Sequence, residues 1–118
     1  MYPFQIKNSK ELKYHNTIVV CDGIKFHSKK EAERYKELKL LEHTGHISDL
    51  KLQVKFSICP KSGGNKRERF YVADFVYNEG HLQIIEDVKS WITKKNPLYS
   101  LKKALVQWQY PEYIFRET

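Results

Sequence analysis

The chain has 118 residues, a formal net charge of +7 and a sequence pI near 9.4, and 41% of its residues are hydrophobic and 14% aromatic. This apolar content excludes a disordered chain, and the length fits a single domain, residues 1–118, with one hydrophobic core. The positive charge favours a polyanionic partner, with a lysine surplus that only improves solubility as the alternative.

Some classes of protein do not fit this sequence. No apolar run approaches the length that spans a membrane and no signal peptide opens the chain, so we expect a cytoplasmic protein with no membrane partner. Cys21 and Cys59 lie far apart without the spacing of zinc ligands, which is typical of buried thiols. Residues 1–16 are polar and basic, and we expect an arm that lies over either the domain or a nucleic acid.

The first predicted elements are a β-hairpin and a helix. Residues 17–21 and 24–27 are rich in β-formers and flank the pair Asp22-Gly23, which is typical of a tight hairpin turn because glycine accepts positive φ. Residues 28–44 have the pattern of a helix that Gly45 ends.

Glu31, near the start of that helix, has two interpretations. Ser28 and Glu31 fit the capping box S-x-x-E, in which the Glu31 carboxylate reaches back to the Ser28 amide. Helical spacing also places Glu31 on the apolar stripe of Tyr35 and Leu38, so we expect it to point towards the sheet. A carboxylate in that place is a candidate catalytic or metal-binding group, and the two roles are compatible.

A strand and a basic loop follow the helix. Residues 52–58 alternate apolar and polar side chains, which predicts a strand with one buried face. Residues 61–69 form a glycine-containing loop whose cations suit contact with a phosphate backbone, with a solvated hairpin loop as the alternative. The candidate DNA-binding side chains of this loop are Lys61, Lys66, Arg67 and Arg69.

The chain is organised around two strand-like stretches, residues 69–77 and 82–89, which a turn at 78–81 joins. Charged groups inside apolar strands are costly unless a metal ion, a partner charge or a pocket compensates them. These two stretches carry four such groups: Asp74, Glu86, Asp87 and Lys89.

The pairing of the two strands decides which charges meet. Side chains alternate faces along a strand, so Asp87 and Lys89 share one face. If the loop holds the four residues 78–81, so that Tyr77 opposes Leu82, then Asp74 lies opposite Ile85 and joins that face. A shift of one residue would place Asp74 with Glu86 instead, and the sequence alone leaves both registers open.

The C-terminal part predicts a linker, a helix and a last strand. Residues 90–95 are a linker with Lys94 and Lys95, and Asn96 has the character of a helix cap before Pro97. Helical spacing over 97–109 predicts a core stripe of Leu98, Leu101, Leu105 and Trp108, with Lys102 and Lys103 beside it. Residues 113–116 form the last predicted strand.

The predicted order is therefore hairpin, helix, three strands, helix and strand. This order defines an α/β fold with an αβββαβ core and an extra N-terminal β-hairpin.

The acids and the lysine of the central strands resemble the motif of the PD-(D/E)XK nuclease superfamily. In the stretches A-D-F and E-D-V-K, Asp74 matches the first acid, Asp87 the second and Lys89 the lysine, while Ala73 replaces the usual proline. The runs G-I-K-F-H-S-K-K-E-A-E-R-Y and I-S-D-L-K-L-Q extend the likeness, over roughly residues 22–115, to a small phage- and prophage-associated family placed in that superfamily.

This resemblance implies a restriction-endonuclease-like core and a DNA endonuclease that depends on Mg²⁺ or Mn²⁺. It implies metal ligation by Asp74, Asp87, the Val88 carbonyl and Glu31, with Lys89 as a further catalytic residue. Gln53 matches a family glutamine and is a candidate for contact with the site or the substrate, with a merely solvated side chain as the alternative. Tyr99 and Lys102 match a tyrosine and a lysine of the family's second helix. Together with the cations Lys94, Lys95 and Lys103, these three residues are candidates for DNA binding.

Three functions remain open from the sequence. One is an endonuclease acting on branched DNA in phage recombination or replication, as a homodimer that cuts both strands. Another is a nuclease without structure preference, and the third is a non-catalytic nucleic-acid-binding protein that kept the fold. A salt-bridge cluster on the surface is the alternative to an active site for the acids and Lys89.

Overall fold

A computed structural model of the protein describes residues 18–64, 66–89 and 95–118. The predicted N-terminal arm and Lys94 lie outside these residues. The chain divides into two compact units, Met1–Glu37 and Leu38–Thr118. This division does not test the prediction of a single domain, which stays a prediction.

The first unit contains the predicted hairpin. Strands β1, Val19–Cys21, and β2, Ile24–Phe26, pair antiparallel. Asp22 and Gly23 between them have φ values of 53° and 76°. Both turn residues lie in the left-handed region, which is the geometry that the D-G pair predicts.

Helix α1, Lys29–His43, begins in the first unit and ends in the second. The Ser28 hydroxyl accepts a hydrogen bond of 3.1 Å from the Glu31 N–H, as a helix cap does. The Glu31 carboxylate accepts from the His27 N–H at 3.1 Å, so the prediction that it reaches the Ser28 amide is wrong by one residue. Gly45, with φ 87°, follows the helix as predicted.

The second unit is built on a four-stranded sheet. Its strands are β3, Ser48–Cys59; β4, Arg69–Glu79; β5, Leu82–Asp87; and β6, Tyr113–Glu117. Their order in the sheet is β3-β4-β5-β6, antiparallel at the first two junctions and parallel at the last. Among the described residues the order of helices and strands is the order that the sequence predicts.

The turn between β4 and β5 is shorter than predicted. Glu79 pairs with Leu82, and only Gly80 and His81 lie between them. The register therefore moves by two residues, and Tyr77 faces Ile84. Since a shift of two residues leaves every side chain on its face, the predicted common face of Asp74 and Asp87 is unaffected.

Helix α2, Pro97–Gln109, packs on β3 and β4. The Asn96 side chain accepts a hydrogen bond of 2.8 Å from the Leu98 N–H, which confirms the predicted cap. The predicted core stripe is wrong, because Leu98, Leu101 and Trp108 are 59%, 57% and 78% exposed.

The buried face of α2 instead carries Tyr99 and Val106. Apolar residues cover more than half of this helix, so spacing alone does not fix which face turns inwards. Of the predicted stripe, Leu105 packs against the core at its edge. The core cluster itself contains Phe56, Ile58, Tyr71, Ala73, Val76, Ile85, Tyr99 and Val106. Within the described ranges, no helix is both long and apolar enough to cross a membrane.

A buried polar network joins the last three strands. The Tyr77 hydroxyl donates to the Glu86 carboxylate, and Thr118 Oγ1 donates to Glu86 Oε2 at 3.0 Å. Arg116 Nη1 donates to both the Tyr77 hydroxyl and Glu79 Oε1 at 3.1 Å. Burial, together with the hydrogen bond to Glu86, raises the pKa of Tyr77 to about 12.

This shift predicts a stability loss in alkali that depends on Tyr77. The unfolded tyrosine ionises from its ordinary pKa of 10.0, whereas the folded one stays protonated to about 12, so the free energy of unfolding falls between these pH values. In the variant Tyr77→Phe we expect that fall to be shallower by up to about 1.4 kcal/mol per pH unit, the contribution of one proton. Urea unfolding at several pH values measures the slope, and equal slopes for both proteins would contradict the assignment.

Candidate functional site

Two carboxylates accept hydrogen bonds from backbone amides at the point where the backbone pairing of β4 and β5 ends. The ladder between these strands ends with Phe75 opposite Glu86. One residue further, the Asp74 N–H donates to Asp87 Oδ1 at 3.1 Å, and the Val88 N–H donates to Asp74 Oδ2 at 2.9 Å. Each carboxylate is thus fixed by a backbone amide, and the two acids lie side by side as the strand pattern predicts.

Strand β6 occupies the other side of β5 at the same level. The Thr118 N–H donates to the Asp87 carbonyl at 2.9 Å, and the Lys89 N–H donates to the Thr118 carbonyl at 3.0 Å. The parallel register pairs Asp87 with Glu117. Glu117 is therefore a third acid at this site, and the sequence analysis missed it. An acid at the end of the last strand was the signal, but the register that brings it here depends on tertiary structure.

Lys89 and Tyr99 lie together above the acids. The Lys89 Nζ is 5.0 Å from the centroid of the Tyr99 ring, a cation–π distance. The Tyr99 hydroxyl donates to the Glu117 carboxylate, and Lys103 Nζ lies 3.4 Å from Glu117 Oε1. Burial raises the pKa of Tyr99, as do the hydrogen bond to Glu117 and the charge of Asp87. Tyr99 is therefore a protonated donor over the whole physiological range.

Asp87 is the most constrained group of the site. Its side chain is fully buried, and its Oδ2 has no hydrogen-bond partner among the described residues. Burial raises the pKa of the Asp87 carboxyl, Glu117 raises it further, and both Lys89 and the Asp74 N–H oppose the shift. A buried carboxylate with an open oxygen is stable only when it takes up a proton or meets a cation.

The second unit has two depressions, of which the first shares Lys89 and Tyr99 with this site. A cavity of about 280 Å³ is lined by Phe70, Tyr71, Lys89, Asn96, Tyr99 and Lys102, among others. A second cavity, of about 510 Å³, brings together cations from β3, the loop before β4, the start of β4, and α2: Lys55, Arg67, Arg69 and Lys102. The structure thus gathers three of the predicted DNA-binding residues, Arg67, Arg69 and Lys102, around one concave surface.

Other predicted DNA-binding residues are scattered over the surface. Lys61 and Lys66 are exposed in the loop before β4, and Lys95 is exposed before α2. Lys103 is bound to Glu117. Gln53 is exposed on β3 and has a φ of 53°, which is rare for a residue with a side chain in the middle of a strand.

Glu31 and the Val88 carbonyl are the other two predicted metal ligands. Glu31 is buried in the first unit, where it caps α1, and its role as a metal ligand stays a prediction. Val88 lies between Asp87 and Lys89 with its N–H bound to Asp74. Among the residues that the structure describes, no group of three or more His, Cys, Asp or Glu side chains is arranged to hold a metal ion.

Fold and site define a mixed α/β protein with a buried acid, Asp87, beside the half-buried acid Asp74, a lysine two residues beyond the second acid, and a basic concave surface. Residues 11–116 match the model of the family described as "Protein of unknown function (DUF1064)", and the chain belongs to that family. No curated protein and no solved structure gives a significant match.

The cost of the buried charge gives a stability prediction for Asp87→Asn. The raised pKa means that the carboxyl contributes most to stability when protonated, and that this contribution is lost as the pH rises above the ordinary value of 3.8 and through the raised one. Asparagine keeps the oxygen that accepts from the Asp74 N–H and carries no charge. We therefore expect the variant to be more stable than the wild type at pH 8, with a difference that shrinks towards pH 4.

Chemical denaturation across this pH range, without added metal, measures the effect. The matched control is Glu112→Gln, an exposed acid of the same unit, for which we expect changes within about 0.5 kcal/mol. A difference between Asp87→Asn and wild type that is independent of pH would contradict the prediction.

Proposed function

We propose that the protein is a divalent-metal-dependent deoxyribonuclease with a restriction-endonuclease-like core, which hydrolyses phosphodiester bonds in DNA as an endonuclease. The observation that carries the proposal is the open Asp87 Oδ2 in a fully buried carboxylate, beside a second acid and two residues before a lysine. Burying such a group without a partner is costly, and a bound cation removes the cost.

The donor set suits a hard cation. Asp74 and Asp87 offer carboxylate oxygens only, and Mg²⁺ and Mn²⁺ prefer oxygen ligands and commonly bind through one or two carboxylates with water completing the shell. Asp74 and Asp87 would hold the ion, with the Val88 carbonyl and Glu31 as further predicted ligands. When bound, such an ion polarises a phosphate and makes a bound water more acidic.

The other groups of the site have roles in binding and orientation. The ammonium of Lys89, placed against the Tyr99 ring, offers a positive charge to the oxygens of a phosphate as negative charge develops on them. Glu117 fixes both Tyr99 and Lys103, so it orients the face against which Lys89 rests. Arg67, Arg69 and Lys102 supply the positive surface along which a phosphate backbone can lie.

A non-catalytic DNA-binding protein is the second candidate. It is favoured by the concave surface of Lys55, Arg67, Arg69 and Lys102, which suits a phosphate backbone whether or not the acids catalyse. Action on branched DNA in phage recombination, a homodimeric state and a cytoplasmic location in a bacterial or phage-infected cell stay predictions from the sequence.

Cleavage assays with three variants test the enzyme. With Mg²⁺ or Mn²⁺ we expect wild type to nick or cut labelled linear, plasmid and four-way-junction DNA, and Asp74→Asn, Asp87→Asn and Lys89→Ala each to lose about 100-fold or more of the rate while still binding DNA. Lys61→Ala, which removes an exposed cation of the loop, should keep the rate at saturating DNA. Wild-type rates in all three site variants would refute the assignment, and binding without any cleavage would favour the second candidate.

Metal binding can be measured without catalysis. At a Mn²⁺ concentration about 100 times the dissociation constant, a bound ion stabilises the folded protein by about 2.7 kcal/mol, which raises Tm by roughly 10 °C for a domain of this size. We expect this rise in wild type and its loss in Asp87→Asn, as followed by differential scanning calorimetry. An equal rise in both proteins would show that the ion binds elsewhere.

A further inference from the structure

The larger cavity, of about 510 Å³, has apolar side chains in its wall that the catalytic proposal does not use. Phe70 and Val72 on β4 are 37% and 41% exposed. Leu98 and Leu101 on α2 are 59% and 57% exposed. A surface that met only phosphates would be polar throughout, so a group of exposed apolar side chains in one concavity indicates a ligand with an apolar part.

The charge of the same wall indicates that the ligand is also anionic. Its cations are Lys55, Arg67, Arg69 and Lys102. Its one acid among the described lining residues is Glu68, whose carboxylate accepts a hydrogen bond from the Ser57 hydroxyl. A second copy of this chain, which carries a net charge of +7, would be repelled by such a surface.

A single DNA strand combines the two properties that this wall requires. Continuous duplex presents phosphates outwards and hides the faces of its stacked bases, whereas an unpaired strand exposes both. Lys55 Nζ lies 5.6 Å from the centroid of the Phe70 ring, so a positive charge and an aromatic surface are adjacent here. Grooves that bind single strands pair positive charge with apolar and aromatic side chains on which bases stack.

The larger cavity is continuous with the acid site through the smaller one. Both cavities are lined by Phe70, Val72, Leu98 and Lys102. The smaller cavity also contains Lys89 and Tyr99. Val72 lies two residues before Asp74 on β4, which is about 7 Å along the strand. A DNA strand bound in the larger cavity therefore reaches the acids within a few nucleotides.

We infer that the larger cavity binds an unpaired stretch of DNA, with bases against Phe70, Leu98 and Leu101 and phosphates against its cations. The protein therefore prefers single-stranded DNA, or a single-stranded extension of a duplex, to continuous duplex. The inference rests on the proposed function for the identity of the strand as DNA and for its path to the acids, but binding of the bases does not depend on catalysis.

The test measures fluorescence anisotropy with wild-type protein in EDTA, so that no cleavage occurs. The labelled probes are a single DNA strand of about 12 nucleotides, an oligomer of abasic residues of the same length, the duplex of the same sequence and the corresponding RNA. We expect the single DNA strand to bind about 5- to 10-fold more tightly than the abasic oligomer and the duplex, since only the strand offers base faces to the apolar wall. Tighter binding of the RNA than of the DNA would overturn the assignment to DNA.

Variants separate the contribution of the apolar wall from that of the charge. Leu101→Gln removes an exposed apolar side chain and keeps a residue that favours a helix. We expect the preference for the single strand over the abasic oligomer to fall to about 2-fold or less, with binding of the abasic oligomer unchanged. Lys102→Gln should instead weaken both by the same factor and reduce the slope of log K against log salt by about 0.7.

The matched control is Leu40→Gln, the same substitution at a leucine that is 63% exposed on α1 and lines neither cavity. It should keep the preference of wild type. Circular dichroism and thermal unfolding show whether each variant folds, and Leu98→Gln is a second variant of the apolar wall with the same expected result.

An acidic peptide is the rival occupant, because it too could combine negative charge with apolar groups. Unlabelled polyglutamate with the charge of the DNA strand is therefore used as a competitor. We expect it to displace the labelled strand no better than the abasic oligomer does. Displacement as effective as that by the unlabelled DNA strand would overturn the inference.

Failure of the inference and failure of the proposed function are distinguishable. If wild type binds the abasic oligomer as tightly as the DNA strand, or Leu101→Gln and Leu40→Gln behave alike, the single-strand site is refuted even where metal-dependent cleavage is seen. If the preference and its loss in Leu101→Gln are found but no DNA is cut with Mg²⁺ or Mn²⁺, the single-strand site stands and the nuclease proposal fails.

Discussion

The site depends on two hydrogen bonds between backbone amides and carboxylates, from the Asp74 N–H to Asp87 and from the Val88 N–H to Asp74. In a regular antiparallel ladder the backbone carbonyls would accept from the amides at this level, and the strands would continue side by side. Here a carboxylate occupies that place on each side. The side chains hold β4 and β5 apart while leaving no backbone amide of Asp74 or Val88 without a partner. Strand β5 then continues along β6, through the hydrogen bonds of Thr118.

This arrangement concentrates charge in the core and requires charges nearby to offset it. Lys89 lies over the Tyr99 ring, and Tyr99 donates to Glu117, which also pairs with Lys103. Both cations therefore lie close to the acids. The hydroxyl of Tyr99 bonds to Glu117 of the sheet, and Val106 on the same face of α2 packs into the core, while Leu98 and Leu101 are turned towards solvent.

The sequence predicted what local chemistry controls. The Asp22-Gly23 turn, the caps at Ser28 and Asn96, and the element order follow from residues next to one another, and they are confirmed. The common face of Asp74 and Asp87 was also within reach, because strand periodicity fixes it once the parity of the register is right.

The remaining features depend on tertiary structure. The loop before β5 was predicted too long, because alternation of side chains is the same for two registers that differ by two residues. Glu117 could not be assigned to the site because the parallel pairing of β5 and β6 comes from the crossover through α2, and no neighbouring residue encodes it. The predicted inward face of α2 was wrong because Tyr99 and Val106, and not the predicted leucines, lie on its buried side. The sequence pattern thus locates Asp74 and Asp87, whereas tertiary packing determines which other side chains lie beside them.

Two features that lower stability point to one location. In the described part of the chain, the buried side-chain oxygens without a partner are those of Tyr71 and Asp87, and Lys89 lies beside both the acids and the cavity that Tyr71 lines. Gln53 adds an unusual backbone angle on β3 at the level of Asp74. A protein selected only for stability would lose little by phenylalanine in place of Tyr71 or asparagine in place of Asp87. The open carboxylate oxygen of Asp87, two residues before Lys89, therefore supports the cation that we propose there better than an independent defect of packing does.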